Sequence, residues 1–153
     1  MDTEIEKLRE GFPVWMTLPV QWGDQDAFGH VNNTVYFRWF ESARIAYADR
    51  IELSDSDVGN NIDPILAAIS CKYLKQLKYP DTVHVGARIS EFGRRSSMTM
   101  QHLIISEQLR AIVAEGDSTL VAFDYTAQKS VSVPESVRVR IEQLEGRKIP
   151  VRT

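Results

Sequence analysis

The chain has 153 residues, enough for one ordinary domain with a real core and too few for a second. Lys and Arg number 18 against 21 Asp and Glu, a net charge of -3 that leaves no basic footprint for nucleic acid and no general pull toward anionic membranes. An anionic ligand must therefore be held by local positive charge.

Residues 1–12 are charged and read as a frayed leader. Their acidic start lacks the cationic and apolar regions of a signal peptide. Val14 to Trp22 alternates, with Val14, Met16, Leu18, Val20 and Trp22 on one face. Period-two alternation predicts a strand, and Pro19 within it predicts an edge position or a bulge. Thr34 to Asp49 predicts a helix: Tyr36, Trp39, Phe40, Ala43 and Tyr47 recur at helical spacing, and so many aromatics imply burial on more than one side. Residues 52–63 are turn-rich and polar, a candidate flap. Ile65–Leu74, Thr82–Phe92, Ser97–Ser106 and Leu109–Tyr125 follow as strands, the last with a bulge expected at Gly116. Pro134 opens a short helix through Leu144.

One long helix against sequential strands is an α+β design, here a single domain over residues 1–153 without repeats or linkers. No apolar run approaches the roughly 18 residues of a membrane span. Cys71 is alone and cannot form an internal disulfide, so a reducing, cytoplasmic setting is expected.

The densest chemistry lies between the first strand and the long helix, in Asp24-Gln25-Asp26-Ala27-Phe28-Gly29-His30-Val31-Asn32-Asn33. A cluster this polar is a poor core element, because each buried polar group needs a partner. It suits a working loop at the mouth of a helix, where Asn32 or Asn33 can cap the first-turn amides.

This segment, begun at Gln21-Trp22-Gly23 and continued through Tyr36, Arg38-Trp39-Phe40-Glu41 and Ala43-Arg44, resembles the hotdog-fold thioesterases of the 4-hydroxybenzoyl-CoA thioesterase type. Leu77-Lys78-Tyr79-Pro80-Asp81, Gly93-Arg94-Arg95-Ser96-Ser97 and Leu120-Val121-Ala122-Phe123-Asp124 extend the likeness over about residues 14–145. It implies a curved antiparallel sheet of five to six strands wrapped around the central helix, with a short C-terminal helix. It also implies a homodimer or homotetramer with sites at subunit interfaces, and hydrolysis of an acyl-CoA or acyl-carrier-protein thioester. Neither a metal nor a cofactor is implied.

Asp26 aligns with the family's catalytic carboxylate. A carboxylate there can attack the thioester directly or act as base on water, and the sequence does not choose between them. The plainer alternative is a turn aspartate capping local amides. Asn33 stands where the resemblance places a backbone amide on the thioester carbonyl, which suits a helix N-terminus with unpaired N–H groups and a favourable dipole. His30 is a positioner or a structural histidine, and Asp24 fixes the loop. Glu41 is a possible second carboxylate ranked below Asp26, since its spacing to Arg44 also suits an ordinary i,i+3 pair. Arg94, Arg95 and Ser96 suit the phosphates of CoA, or else form a solvated surface turn. His84 and His102 show no metal-ligand spacing. The competing functions are an acyl-carrier-protein thioesterase and a non-catalytic acyl-CoA-binding protein.

Overall fold

A computed structural model describes residues 2–53 and 62–153. One antiparallel sheet runs in the order β1 (Val14–Pro19), β3 (Thr82–Phe92), β4 (Ser97–Ser106), β5 (Ala111–Asp124) and β2 (Ile62–Tyr73), so β1 and β2 are its edges. A short β6 (Lys129–Ser130) pairs with the end of β5. The helices are α1 (Thr3–Leu8), α2 (Asn33–Arg50) and α3 (Glu135–Glu145). This is the sheet, central helix and C-terminal helix that the resemblance implied.

The local chemistry accounts for α2. Asn32 is extended, and its side chain accepts the Thr34 N–H at 3.0 Å, capping the first turn. Tyr36, Trp39, Phe40, Ala43 and Tyr47 form one buried stripe against the sheet. Val35, Phe37 and Ala46 pack against the core on either side of that stripe, while the outer face, with Ile45 58% exposed, meets solvent.

Phe40 is the centre of the contact. Its ring stacks on His102 of β4 at 4.6 Å between centroids and 12° between planes. The Phe40 ring reaches the sheet because Gly116 of β5 has no side chain: a Cβ there would lie 2.6 Å from the ring and would press on the Ser70 carbonyl. Gly116 is in plain register with Cys71 and His102, so the expected bulge is absent and close approach is the reason for the glycine. The irregularities fall instead between Leu66 and Ala68, Ile89 and Glu91, and Ile104 and Ile105.

A polar relay crosses this core. The Gly86 carbonyl can only accept, so His102 Nδ1 carries the hydrogen at 3.1 Å and Nε2 accepts the Ser118 hydroxyl at 2.9 Å. Ser118 in turn accepts from Arg44 Nη1 at 3.1 Å. Burial, helped by the Arg44 charge, pushes the His102 pKa down to about 3. An unfolded histidine takes its proton near pH 6.5. Between those values the unfolded chain binds more protons, so stability should fall as pH drops from about 6.5 toward 3. The urea midpoint is expected to decline over that range, and His102→Gln should flatten the decline; equal slopes for both proteins would show that His102 does not contribute.

Several boundaries differ from the sequence reading. Residues 3–8 are helical rather than frayed: Asp2 accepts the Glu4 N–H at 2.8 Å and pairs with Arg110 at 3.1 Å, while Ile5 is buried. β1 ends at Pro19, and Trp22 opens a single 3-10 turn with its ring 74% exposed, so it does not join the inward face. β2 begins at Ile62, three residues before the expected start, and takes in the end of the proposed flap; residues 54–61 of that flap lie outside the described residues. Pro134 caps α3 rather than opening it, and Gly146, with φ of 72°, closes it in the left-handed conformation.

Candidate active site

The loop before α2 is built from its own hydrogen bonds. Asp24 accepts the Gln21 N–H on its carboxylate and the Asn32 N–H on its carbonyl, each at 2.8 Å, which fixes the loop as expected. Asp26 N–H donates to the His30 carbonyl at 2.8 Å, and Gly29, with φ of 78°, makes the turn between them. Val31 N–H donates to the Leu77 carbonyl at 2.9 Å and ties the loop to the segment after β2.

Within this frame Asp26 Oδ1 accepts the Phe28 N–H at 2.8 Å and the His30 N–H at 3.3 Å. One carboxylate oxygen is thus anchored by the loop backbone, and Oδ2 accepts no hydrogen bond among the described residues.

Asp26, His30 and Asn33 line one pocket of about 360 Å³ with Tyr36, Tyr73, Leu74 and Leu77. Among the described residues nothing accepts the Asn33 N–H, as the free first turn of a helix requires. Tyr73 Oη donates to the Asn33 carbonyl at 3.2 Å and meets the Tyr36 ring edge-on at 4.9 Å. Burial, with Cys71 and Tyr73 adding, pushes the Tyr36 pKa up to about 12, so its hydroxyl stays protonated. Tyr73 escaped the sequence reading because it stands at the end of a strand; only the pairing of β2 with β5 carries it beside α2.

Glu41 is elsewhere. It lies eight residues beyond Asn33, about 12 Å along the helix axis, and lines a separate apolar groove with Arg44. Arg94, Arg95 and Ser96 are farther still. They join β3 to β4 at the Phe92 end of the sheet, whereas the Asp26 loop meets it at the Thr82 end, where Val20 N–H donates to the Asp81 carbonyl. The 11 residues of β3 separate them by about 35 Å. Arg95 donates to the Ser130 hydroxyl and carbonyl at 3.3 and 3.1 Å, and the Ser96 carbonyl accepts the Ala122 N–H. Arg94 is exposed and makes no hydrogen bond or ion pair among the described residues. Within one chain, then, the carboxylate and the basic loop are apart.

His84 is buried beside α1, with Nε2 2.8 Å from Glu107. Cys71 is half-buried, and burial raises its thiol pKa.

The family profile described as the thioesterase-like superfamily matches residues 20–141. The chain belongs to that superfamily. This thioesterase is 27% identical over 122 residues to the long-chain acyl-CoA thioesterase FadM of Escherichia coli, covering 78% of this chain and 89% of FadM. A Thermus thermophilus thioesterase, solved in complex with coenzyme A and Zn, is 36% identical with a TM-score of 0.77 over 90% of this chain and 98% of that one. The PA2801 protein of Pseudomonas aeruginosa is 32% identical with a TM-score of 0.73 over 85% and 98% of the two chains. The protein is a thioester hydrolase. Among its described residues no helix is long and apolar enough to cross a membrane.

Proposed function

We propose that the thioesterase hydrolyses an acyl-CoA thioester with the Asp26 carboxylate, the carbonyl oxygen of the substrate facing the Asn33 N–H. The observation that carries this reading is the division of labour at Asp26. Two backbone amides hold Oδ1, and Asp26 shares its pocket with Asn33, whose N–H no described residue accepts. A donor aimed at the developing oxyanion can contribute about 3 kcal/mol in the transition state. Attack by Oδ2 expels the thiolate and yields an acyl-enzyme anhydride, which water then cleaves to the free acid and the carboxylate; as general base, Oδ2 instead takes a proton from the water that adds to the carbonyl, and collapse of the tetrahedral intermediate expels the thiolate, which accepts that proton. His30 borders the same pocket and serves as a positioner.

A second copy joins the carboxylate to the basic loop. β2 is a 12-residue edge strand whose stretch from Pro64 to Cys71 carries no charge, a poorly protected edge that calls for a partner. Antiparallel pairing of two such edges about a two-fold axis sets the Tyr73 end of one chain against the Ile62 end of the other. The Ile62 end is also the end of Arg94, since Ile62 pairs with Asp124 and Ser97 with Val121. Arg94 of one chain then serves the nucleotide phosphates of a thioester held at Asp26 of its partner.

Release of CoA from a panel of acetyl, medium-chain, long-chain and aromatic esters tests the reaction; acyl-CoA binding without thiol release would support a binding protein instead. Light scattering at micromolar concentration should find at least a dimer, and a fully active monomer would contradict the shared site. The double variant Arg94→Ala, Arg95→Ala is expected to raise KM for acyl-CoA roughly three- to tenfold with kcat little changed. Because Arg95 is occupied by Ser130, Arg94→Ala alone should produce most of that effect. Added salt should shrink it, and an acyl-pantetheine ester, which lacks the nucleotide phosphates, should not report it. Equal damage toward both esters would move these arginines from binding to fold support.

A further inference from the structure

The Asp26 pocket also holds a buried hydroxyl, that of Tyr36. Tyr36 stands three residues after Asn33, so the two share the face of α2 that borders the pocket. A helical side chain leans back toward the helix N-terminus, and that lean carries the Tyr36 ring over the turn that presents the Asn33 N–H. The ring is held by two aromatic neighbours, Tyr73 edge-on at 4.9 Å and Trp39 at 5.5 Å, and the residue is only 3% exposed. The Leu77 backbone N–H faces the hydroxyl oxygen, while no group among the described residues accepts the hydroxyl proton. The direction left to that proton is the pocket.

Other polar groups of the pocket are placed differently. Tyr73 donates its proton to the Asn33 carbonyl, and Lys75 and Gln76 are exposed side chains. A developing oxyanion is stabilised best by donors fixed in advance, because a donor that must first turn loses part of its effect to reorganisation. A tyrosine packed on a helix, kept protonated by burial, meets that condition; a solvated lysine does not. We infer that the Tyr36 hydroxyl is a catalytic donor, converging with the Asn33 N–H on the thioester carbonyl oxygen as that oxygen gains negative charge. Tyr36 keeps its proton throughout and supplies only the hydrogen bond. The inference rests on the proposed hydrolysis at Asp26 and adds a side-chain half to its oxyanion hole.

Tyr36→Phe removes the oxygen and leaves the ring to pack as before. It should lower kcat by about 10²-fold, the scale for losing one oxyanion donor, with KM changed by less than roughly threefold. Two acyl-CoA analogues that cannot be hydrolysed separate this from a structural role, each built on the acyl group of the ester turned over fastest. A ketone, with CH2 in place of the thioester sulfur, keeps the carbonyl; a thioether, with CH2 in place of the carbonyl carbon and oxygen, lacks it. By calorimetry, Tyr36→Phe should weaken the ketone by about five- to tenfold, the worth of a neutral hydrogen bond, and leave the thioether within about twofold. With a 13C-labelled carbonyl, difference infrared spectra should show the ketone stretch at lower frequency in the wild-type protein than in Tyr36→Phe. Equal weakening of both analogues would overturn the assignment and make Tyr36 a support of α2, as would an unchanged carbonyl frequency. The same spectra of Asp26→Asn keep the two readings apart. If that variant still hydrolyses the ester at the wild-type rate, the carboxylate reading falls while the frequency shift still reports the Tyr36 donor. If the carboxylate proves essential and Tyr36→Phe moves neither frequency nor affinity ratio, the Tyr36 assignment alone falls.

Discussion

Asp26→Asn is expected to lower kcat by on the order of 10²–10⁴-fold while changing substrate affinity much less. The amide keeps the size of the side chain, and its carbonyl oxygen can still accept the Phe28 and His30 N–H groups that hold Oδ1. The loop should therefore remain in place, which a wild-type unfolding midpoint would check. What disappears is the charge on the second oxygen, needed equally for attack on the thioester and for taking a proton from water. Glu41→Gln should have a much smaller effect, because Glu41 lies about two turns down the helix and lines the groove instead of the Asp26 pocket. A folded Asp26→Asn protein with near wild-type kcat would refute the assignment, and greater damage from Glu41→Gln would exchange the two roles.

Much of this was legible before the structure because it is carried by local patterns. Alternation marked the sheet-forming segments, and the Asn32 cap with its buried stripe marked α2 to within a residue at each end. The turn at Asp26 was legible for the same reason: its hydrogen bonds close within a few residues. What stayed hidden depends on packing between distant segments. Ile5 could not be seen as buried, because it meets residues of the sheet face far along the chain. Gly116 looked like a bulge because a strand glycine has two uses, and only the Phe40 ring distinguishes them. Tyr73 enters the pocket through strand pairing. The separation of Arg94 from Asp26 is a property of sheet direction, to which residue spacing is blind.

Phe40→Ala is expected to remove about 3–5 kcal/mol of stability, the range for deleting a fully buried aromatic side chain. Phe40 is 0% exposed and packs from α2 on two groups of the sheet, the His102 ring and the Gly116 backbone, with Phe37 of the same helix edge-on at 6.2 Å. The space it leaves cannot close easily. His102 is fixed by Gly86 and Ser118, and Gly116 sits in mid-strand with both neighbours paired. Gly116→Ala attacks the same contact from the other side, forcing Phe40 and the Ser70 carbonyl away, and should cost about 1–3 kcal/mol by overpacking. Since the two changes share one space, they should not add: with Phe40 shortened, the new methyl group loses its clash with the ring and keeps the one with the Ser70 carbonyl, and the double variant should be more stable than the sum of the singles implies. Urea unfolding of the four proteins closes this cycle. Strict additivity would show that the ring and the glycine do not depend on one another, and that Gly116 is kept for the β2 carbonyl alone.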